Sequence, residues 1–464
     1  GADYVVVSDT SGNLRSIDIS EFDTNPGSSA GEPVASAETA TVSAQPEAPN
    51  TGDACSDGAN FDSLQCGDGA DASGTLGVTA LGDNAVASGS QSTAVGEDSE
   101  ASSDASTAVG EDTLANADNA TALGNNADAT ASNATALGMV AEASGFDSVA
   151  VGYDSEATET RAIALGGSAS ATSVNAVALG DESTATGFGA LALGRSAESS
   201  GSSSVALGRD STATDSAGVA LGFASTSTGT YSVATGGYAE ALGDGAIAIG
   251  GDGRDGSFVG ARAQGYGAVS IGVDSASTGG SSVALGADAV STAVQATALG
   301  DTADADTAQA TAVGASANAN GDDSTAIGAL SDATDEGATA LGYFSKANGV
   351  RSIAIGDSNN TNADGSIIVG ADVSVRAGAV NAIVVGTEAD ADDDGAIAIG
   401  GDGSDNGTEG AQATGLNAVA LGSDSSSSGE VSVALGGGSS ASALNAVAIG
   451  RDADANGDNS FALG

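Results

Sequence analysis

Val205-Ala-Leu-Gly-Arg-Asp-Ser-Thr-Ala213 is one copy of a unit that recurs along most of this chain. Glycine closes the same kind of aliphatic triplet at 166, 180, 194, 208, 222, 236 and 250, in a series running from Gly82 to Gly464. Of the 26 intervals between its 27 glycines, 23 are 14 residues long; the others are 22, 16 and 22. A fixed period of this length marks stacked repeats rather than globular domains. The residue before the glycine is Leu, Ile or Val in 26 of 27 copies, Thr235 being the exception, and the middle residue is Ala in 24.

Large-small-large is the period of a β-strand and sets the two larger side chains on one face, the Ala on the other. Small residues at the third and fifth places after the glycine, Ser211 and Ala213, suggest a second short strand. The expected fold is therefore all-β: a parallel β-roll, or β-solenoid, of 14-residue coils. Each coil has two short strands and two tight turns, with glycine at the corners. Stacking 27 coils at about 4.8 Å gives a rod on the order of 130 Å long. The larger aliphatics are expected to point inward against the small residues of the second strand. Ala206, Ala220, Ala284, Ala298 and Ala326 would then form an outward stripe admitting only small neighbours, read as a trimer or assembly face.

Composition supports a thin core. The chain has 464 residues with 71 glycines, 3% aromatics, no Trp and no His. Without His there is no ordinary acid–base or triad chemistry, and the protein is read as a non-enzyme. Sixty-two acidic residues face ten basic ones, for a net charge of −52. Such a chain repels nucleic acid and anionic membrane surfaces. The charge is read as adaptation to a salty exterior, with Ca²⁺ binding as the alternative. No apolar run is long enough to span a membrane as a helix, so direct membrane insertion is not expected.

Residues 1–22 read as a β-hairpin, with Tyr4-Val-Val-Val7, a turn at Ser11-Gly-Asn13 and an alternating return strand. Residues 23–74 form a linker containing all four prolines and the Cys55–Cys66 loop, a close pair suited to a disulfide outside the cell. Residues 75–464 are the β-roll, with inserted loops near 251–266 and 401–416 where the interval widens to 22.

Strings such as Ser204-Val-Ala-Leu-Gly208 and Asn175-Ala-Val-Ala-Leu-Gly180, followed by a small-x-small-x-Gly stretch, resemble the head repeats of trimeric autotransporter adhesins, the YadA-like heads. The resemblance covers roughly residues 75–464. It implies a left-handed parallel β-roll, three chains side by side as a homotrimer, and display on a cell surface where the head binds cells or extracellular matrix. The same repeat occurs in virion fibres. Such adhesins continue into a neck, a coiled-coil stalk and a membrane anchor, whereas this sequence ends at Phe461-Ala-Leu-Gly464. It is accordingly read as a head fragment or a distinct protein using head repeats. The alternatives are a self-assembling extracellular filament, a head-to-tail polymer in which the N-terminal hairpin adds to the next subunit's roll, or a virion tail or spike fibre.

Candidate sites are few. Asp244–Gly253 recurs identically as Asp394–Gly403, and Gly250–Asp255 and Gly400–Asp405 match the first six places of the Ca²⁺-binding nonapeptide. Asp252, Asp255, Asp402 and Asp405 are thus candidate Ca²⁺ ligands, because carboxylates suit a hard cation. Asn119, Asn133, Asn359 and Asn406 head glycosylation sequons.

Overall fold

The computed structural model describes residues 4–8, 14–18, 55–58, 60, 62–253, 256–403 and 409–464. It divides into two units, Gly1–Pro49 and Asn50–Gly464. In the first, strands Tyr4–Ser8 and Leu14–Asp18 pair antiparallel, Tyr4 opposite Asp18 and Ser8 opposite Leu14, as the hairpin pattern requires.

The second unit is a parallel β-roll whose described residues contain no helix. One coil runs from the longer strand Val205–Leu207 through a turn at Gly208 to the shorter strand Thr212–Ala213, then through a second turn to Val219–Leu221. Each strand pairs in parallel with its equivalent 14 residues on: Ala206 lies opposite Ala220, and Ala213 opposite Ser227. The turns link neighbouring coils as well, with the Gly208 amide donating to the Leu193 carbonyl at 2.8 Å. Left-handed backbone recurs every seven residues, at Asp210, Ala217, Ala224 and Tyr231, once at each corner. Asn and Asp hold many of these places because their short polar side chains tolerate that region. Glycine is demanded elsewhere. Gly208 sits at φ 143° and packs on the next coil so tightly that a Cβ would collide with the Gly222 carbonyl.

The interior reverses the expected faces. Ser204, Ala206, Ser211 and Ala213 all point into the coil with no exposed surface, while Val205 is half-buried and Leu207 remains 39% exposed. Ala206, Ala220, Ala284, Ala298 and Ala326 are each fully buried within their own coil. They cannot form the outward assembly stripe read from the sequence. The physical reason is volume: four small side chains already fill each coil. Even at Gly218, an added methyl would lie 2.8 Å from Ser227 Oγ. The larger aliphatics are therefore turned outward.

Three irregularities stand out. The roll starts earlier than residue 75, since Leu64–Cys66 already pairs in parallel with Thr79–Leu81. Ser56–Asp57 pairs antiparallel with Leu64–Gln65, and Cys55 and Cys66 are disulfide-bonded, so the cysteine loop belongs to the first coil rather than to a linker. The insertions are shorter than expected, because shorter strands resume at Arg262 and Gln412. Finally, the shorter-strand ladder breaks between Ser374–Val375 and Asp390–Ala391, while the longer-strand ladder continues through Ile367 and Ile383. Here the interior carries Ile368, Val373, Val375 and Val384, and the glycine interval is 16.

Candidate functional site

Because the interior of most coils takes only small groups, the described residues of the roll that can meet another molecule lie on its two sheet faces, its two turn edges and its insertions. The longer-strand face is largely aliphatic, with Thr at the first outward place from Thr79 to Thr135 and from Thr297 to Thr339, and at the second in Thr235. Its rungs present Val205 and Leu207, Val219 and Leu221, Val283 and Leu285, Ile397 and Ile399, all outward from the buried Ala column. Leu207, Leu285 and Leu299 are 38–39% exposed. Such a surface, continued over the ten coils from Val149 to Leu285 and the seven from Ile353 to Ile449, far exceeds the scattered apolar residues normal on a monomer.

The shorter-strand face is polar and acidic. Asp128, Glu142 and Glu156 stand in register on successive coils, as do Asp304, Asn318 and Asp332. Burial and a neighbouring carboxylate together raise the proton affinity of three groups on this face. Burial, and then the neighbouring Asp306 carboxylate, pushes Asp304 up to about 6. Asp128 is raised by burial and by Glu142; Asp390 is raised by burial and by Asp392, against a lowering pull from Arg376.

The candidate Ca²⁺ ligands sit at the insertions. Asp252 and Asp402 lie at the roots of the two loops, whereas Asp255 and Asp405 lie outside the described residues. At each root a carboxylate from the following coil is already engaged: the Gly253 amide donates to Asp274 at 3.1 Å and the Gly403 amide to Asp424 at 3.0 Å. Among the described residues, no three acidic, His or Cys side chains converge as a metal site would need.

The sequons divide. Asn119 and Asn133 are exposed at turn corners, where Asn119 Nδ2 donates to Asn133 Oδ1 and Asn133 Nδ2 to Asp147 Oδ1. Asn359 is fully buried, contrary to its reading as a glycan acceptor. Its Nδ2 donates to the Ile355 and Gly370 carbonyls at 2.7 and 2.8 Å, and its Oδ1 accepts from the Val373 amide. An amide so enclosed has no room for a sugar. Asn406 lies outside the described residues.

Sequence reasoning did not single out the edges. Phe146, Tyr153, Phe188, Phe223, Tyr231, Tyr238, Tyr266, Tyr343 and Phe344 all occupy turn corners, and Phe258 lies in the first insertion. Rings excluded from the Ala interior are thus collected at the corners. The signal was present: in a strict 14-residue register these residues fall one or two places after a turn's first residue.

Comparison with known families gives one match. The YadA head domain repeat matches in overlapping copies from residues 72–99 through 199–225 and 333–359 to 441–464, together covering well over half the chain. A search of curated proteins finds no match.

Proposed function

The chain belongs to the YadA head family, and from that premise we propose that it is the adhesive head of a surface-displayed fibre, assembled as a homotrimer through its longer-strand faces. The contrast between the two sheet faces carries this reading. One is aliphatic over long stretches, from Val149 to Leu285 and from Ile353 to Ile449, and is interrupted there only by Thr235; the other concentrates stacked carboxylates. Three rolls packed on their aliphatic faces bury the apolar surface and leave the acidic faces in water, where salt screens them. A rod built by short local pairings suits a mechanical and adhesive role outside the cell rather than a catalytic one. Partners would be sister copies along the axis and a cell surface or matrix at the outer faces and edges.

Sedimentation equilibrium of the whole chain near physiological salt tests the assembly. Three times the chain mass is expected, and Leu207→Asp with Leu285→Asp should dissociate it, since two carboxylates would be buried without partners. A native chain that sediments as a monomer refutes the trimer. Retention of cells or matrix protein by surfaces coated with the trimer, absent on coating with an unrelated acidic protein, tests adhesion.

A further inference from the structure

The first insertion does something its duplicate does not: it completes a row of aromatic rings along one edge. Arg209, Phe223 and Tyr238 occupy the turn after the longer strand in three successive coils. The Arg209 guanidinium lies 4.2 Å from the centre of the Phe223 ring. Phe223 and Tyr238 meet edge to face at 5.1 Å, and Tyr238 meets Phe258 of the insertion at 5.6 Å. Phe258 is 65% exposed and held at φ 55°. Tyr231, Tyr238 and Phe344 adopt the same left-handed backbone at corners, so this conformation presents a ring outward without special strain.

The second insertion serves as an internal comparison. Its root sequence is identical, and the same hydrogen bond closes it: the Gly260 amide donates to the Tyr238 carbonyl, the Gly410 amide to the Glu388 carbonyl. Yet Glu388 stands where Tyr238 does, and residues 401–410 contain no aromatic. The loop itself therefore does not require the rings.

Charge narrows the ligand. The net charge of −52 repels a polyanion. A polycation would find carboxylates along the whole roll and would need no aromatic row. At this edge Arg195 and Arg209 accompany the rings, and Asp210 lies 3.2 Å from Arg209. The strip is aromatic and close to neutral within an acidic rod. Pyranose rings have apolar C–H faces that lie against Phe and Tyr, and hydroxyls that pair with guanidinium, carboxylate and phenol groups. We propose that the Arg209–Phe223–Tyr238–Phe258 edge binds an uncharged polysaccharide, its sugar units laid along successive coils. This deepens the adhesive reading, on which it rests, by naming a ligand class.

Affinity electrophoresis of the whole chain through gels containing dextran, α-mannan or hydroxyethyl cellulose tests it, with heparin as the charged comparison. Retardation by at least one neutral polymer is expected, unchanged when salt is raised to about 1 M, which would screen an ionic contact. Phe258→Ala should weaken it about tenfold, the loss of one well-placed ring. Arg209→Gln should weaken it less, and Tyr266→Ala, at the opposite turn, should not. Retardation by none of the three, equal retardation of Phe258→Ala, or salt-sensitive retardation by heparin alone overturns the site. A Phe258→Ala chain that loses both binding and oligomeric mass overturns it too, in favour of a contact between copies. A native chain that binds but sediments as a monomer would instead refute the trimer and leave the site standing.

Discussion

Replacing Ala220 by Val tests the most consequential feature of the roll, which is that its smallest aliphatic lies inside. The Ala220 methyl is fully buried and stands in register between Ala206 and Ala234, themselves fully buried. Two extra methyl groups there overpack the coil, and overpacking of a full core costs about 1–3 kcal/mol. The neighbouring coils are equally full and have little room to give. Where the chain does place Ile368 and Val384 at this position, Val373 and Val375 change with them and the glycine interval is 16. A solenoid responds coil by coil, so the loss should be local. In native-state hydrogen exchange, protection of the amides at 219–235 should fall by roughly fivefold to a hundredfold, at tenfold per 1.4 kcal/mol. Leu221→Ala is the counterpart, since it trims an outward, half-buried side chain and leaves the interior intact. It should leave protection in the dissociated chain nearly unchanged while weakening self-association. If Ala220→Val is silent and Leu221→Ala loosens the dissociated chain, the assignment of the faces is wrong.

Gly208→Ala should destabilise by at least about 2 kcal/mol, combining left-handed strain with collision on the Gly222 carbonyl. Gly237→Ala, whose added methyl meets nothing nearer than 3.8 Å, should be nearly silent, and urea melts compare the two. Lowering pH should stabilise the roll. Asp304 binds its proton more tightly folded, near 6, than its ordinary 3.8, so its unfavourable contribution is present above about pH 6 and disappears as pH falls toward 3.8. Melting temperatures should therefore rise between about pH 7 and pH 5, and Asp304→Asn should flatten that rise; a fall over the same window contradicts the assignment. Reducing the Cys55–Cys66 bond, which spans 11 residues, should remove about 2–3 kcal/mol from the first coil alone. Limited proteolysis should then cut near its N-terminal end and spare the later coils.

How far the sequence could be read depended on what period alone can specify. The 14-residue spacing and the alternating triplet fix the strands, the turns and the parallel stacking, because each follows from repetition. Alternation separates two faces but does not say which is inside. Deciding that needs the interior volume, which four small side chains per coil set. The first coil was hidden because Leu64-Gln-Cys66 lacks the Ala centre of the triplet. Asn359 read as a sequon because a tripeptide carries no depth, and its buried amide replaces the small residue usual at that inward position. The aromatic edge could have been found by aligning the coils on their glycines, which places Phe223 and Tyr238 at the same turn.

An Ala interior also constrains what one roll can do alone. Each coil removes little more than methyl and hydroxymethyl groups from water, and hydrophobic stabilisation scales with the apolar area buried. The side chains with most to gain stay half-buried, as Val205, Val219 and Leu221 do, or exposed, as Leu207 is, on the longer-strand face. Meanwhile the shorter-strand face stacks carboxylates in register at Asp128, Glu142 and Glu156, which works against compaction. Covering the aliphatic face with sister rolls, as proposed, would remove from water the surface a single roll cannot bury and leave the carboxylates facing solvent. In the proposed trimer, folding of the coil and assembly would thus be two parts of one burial.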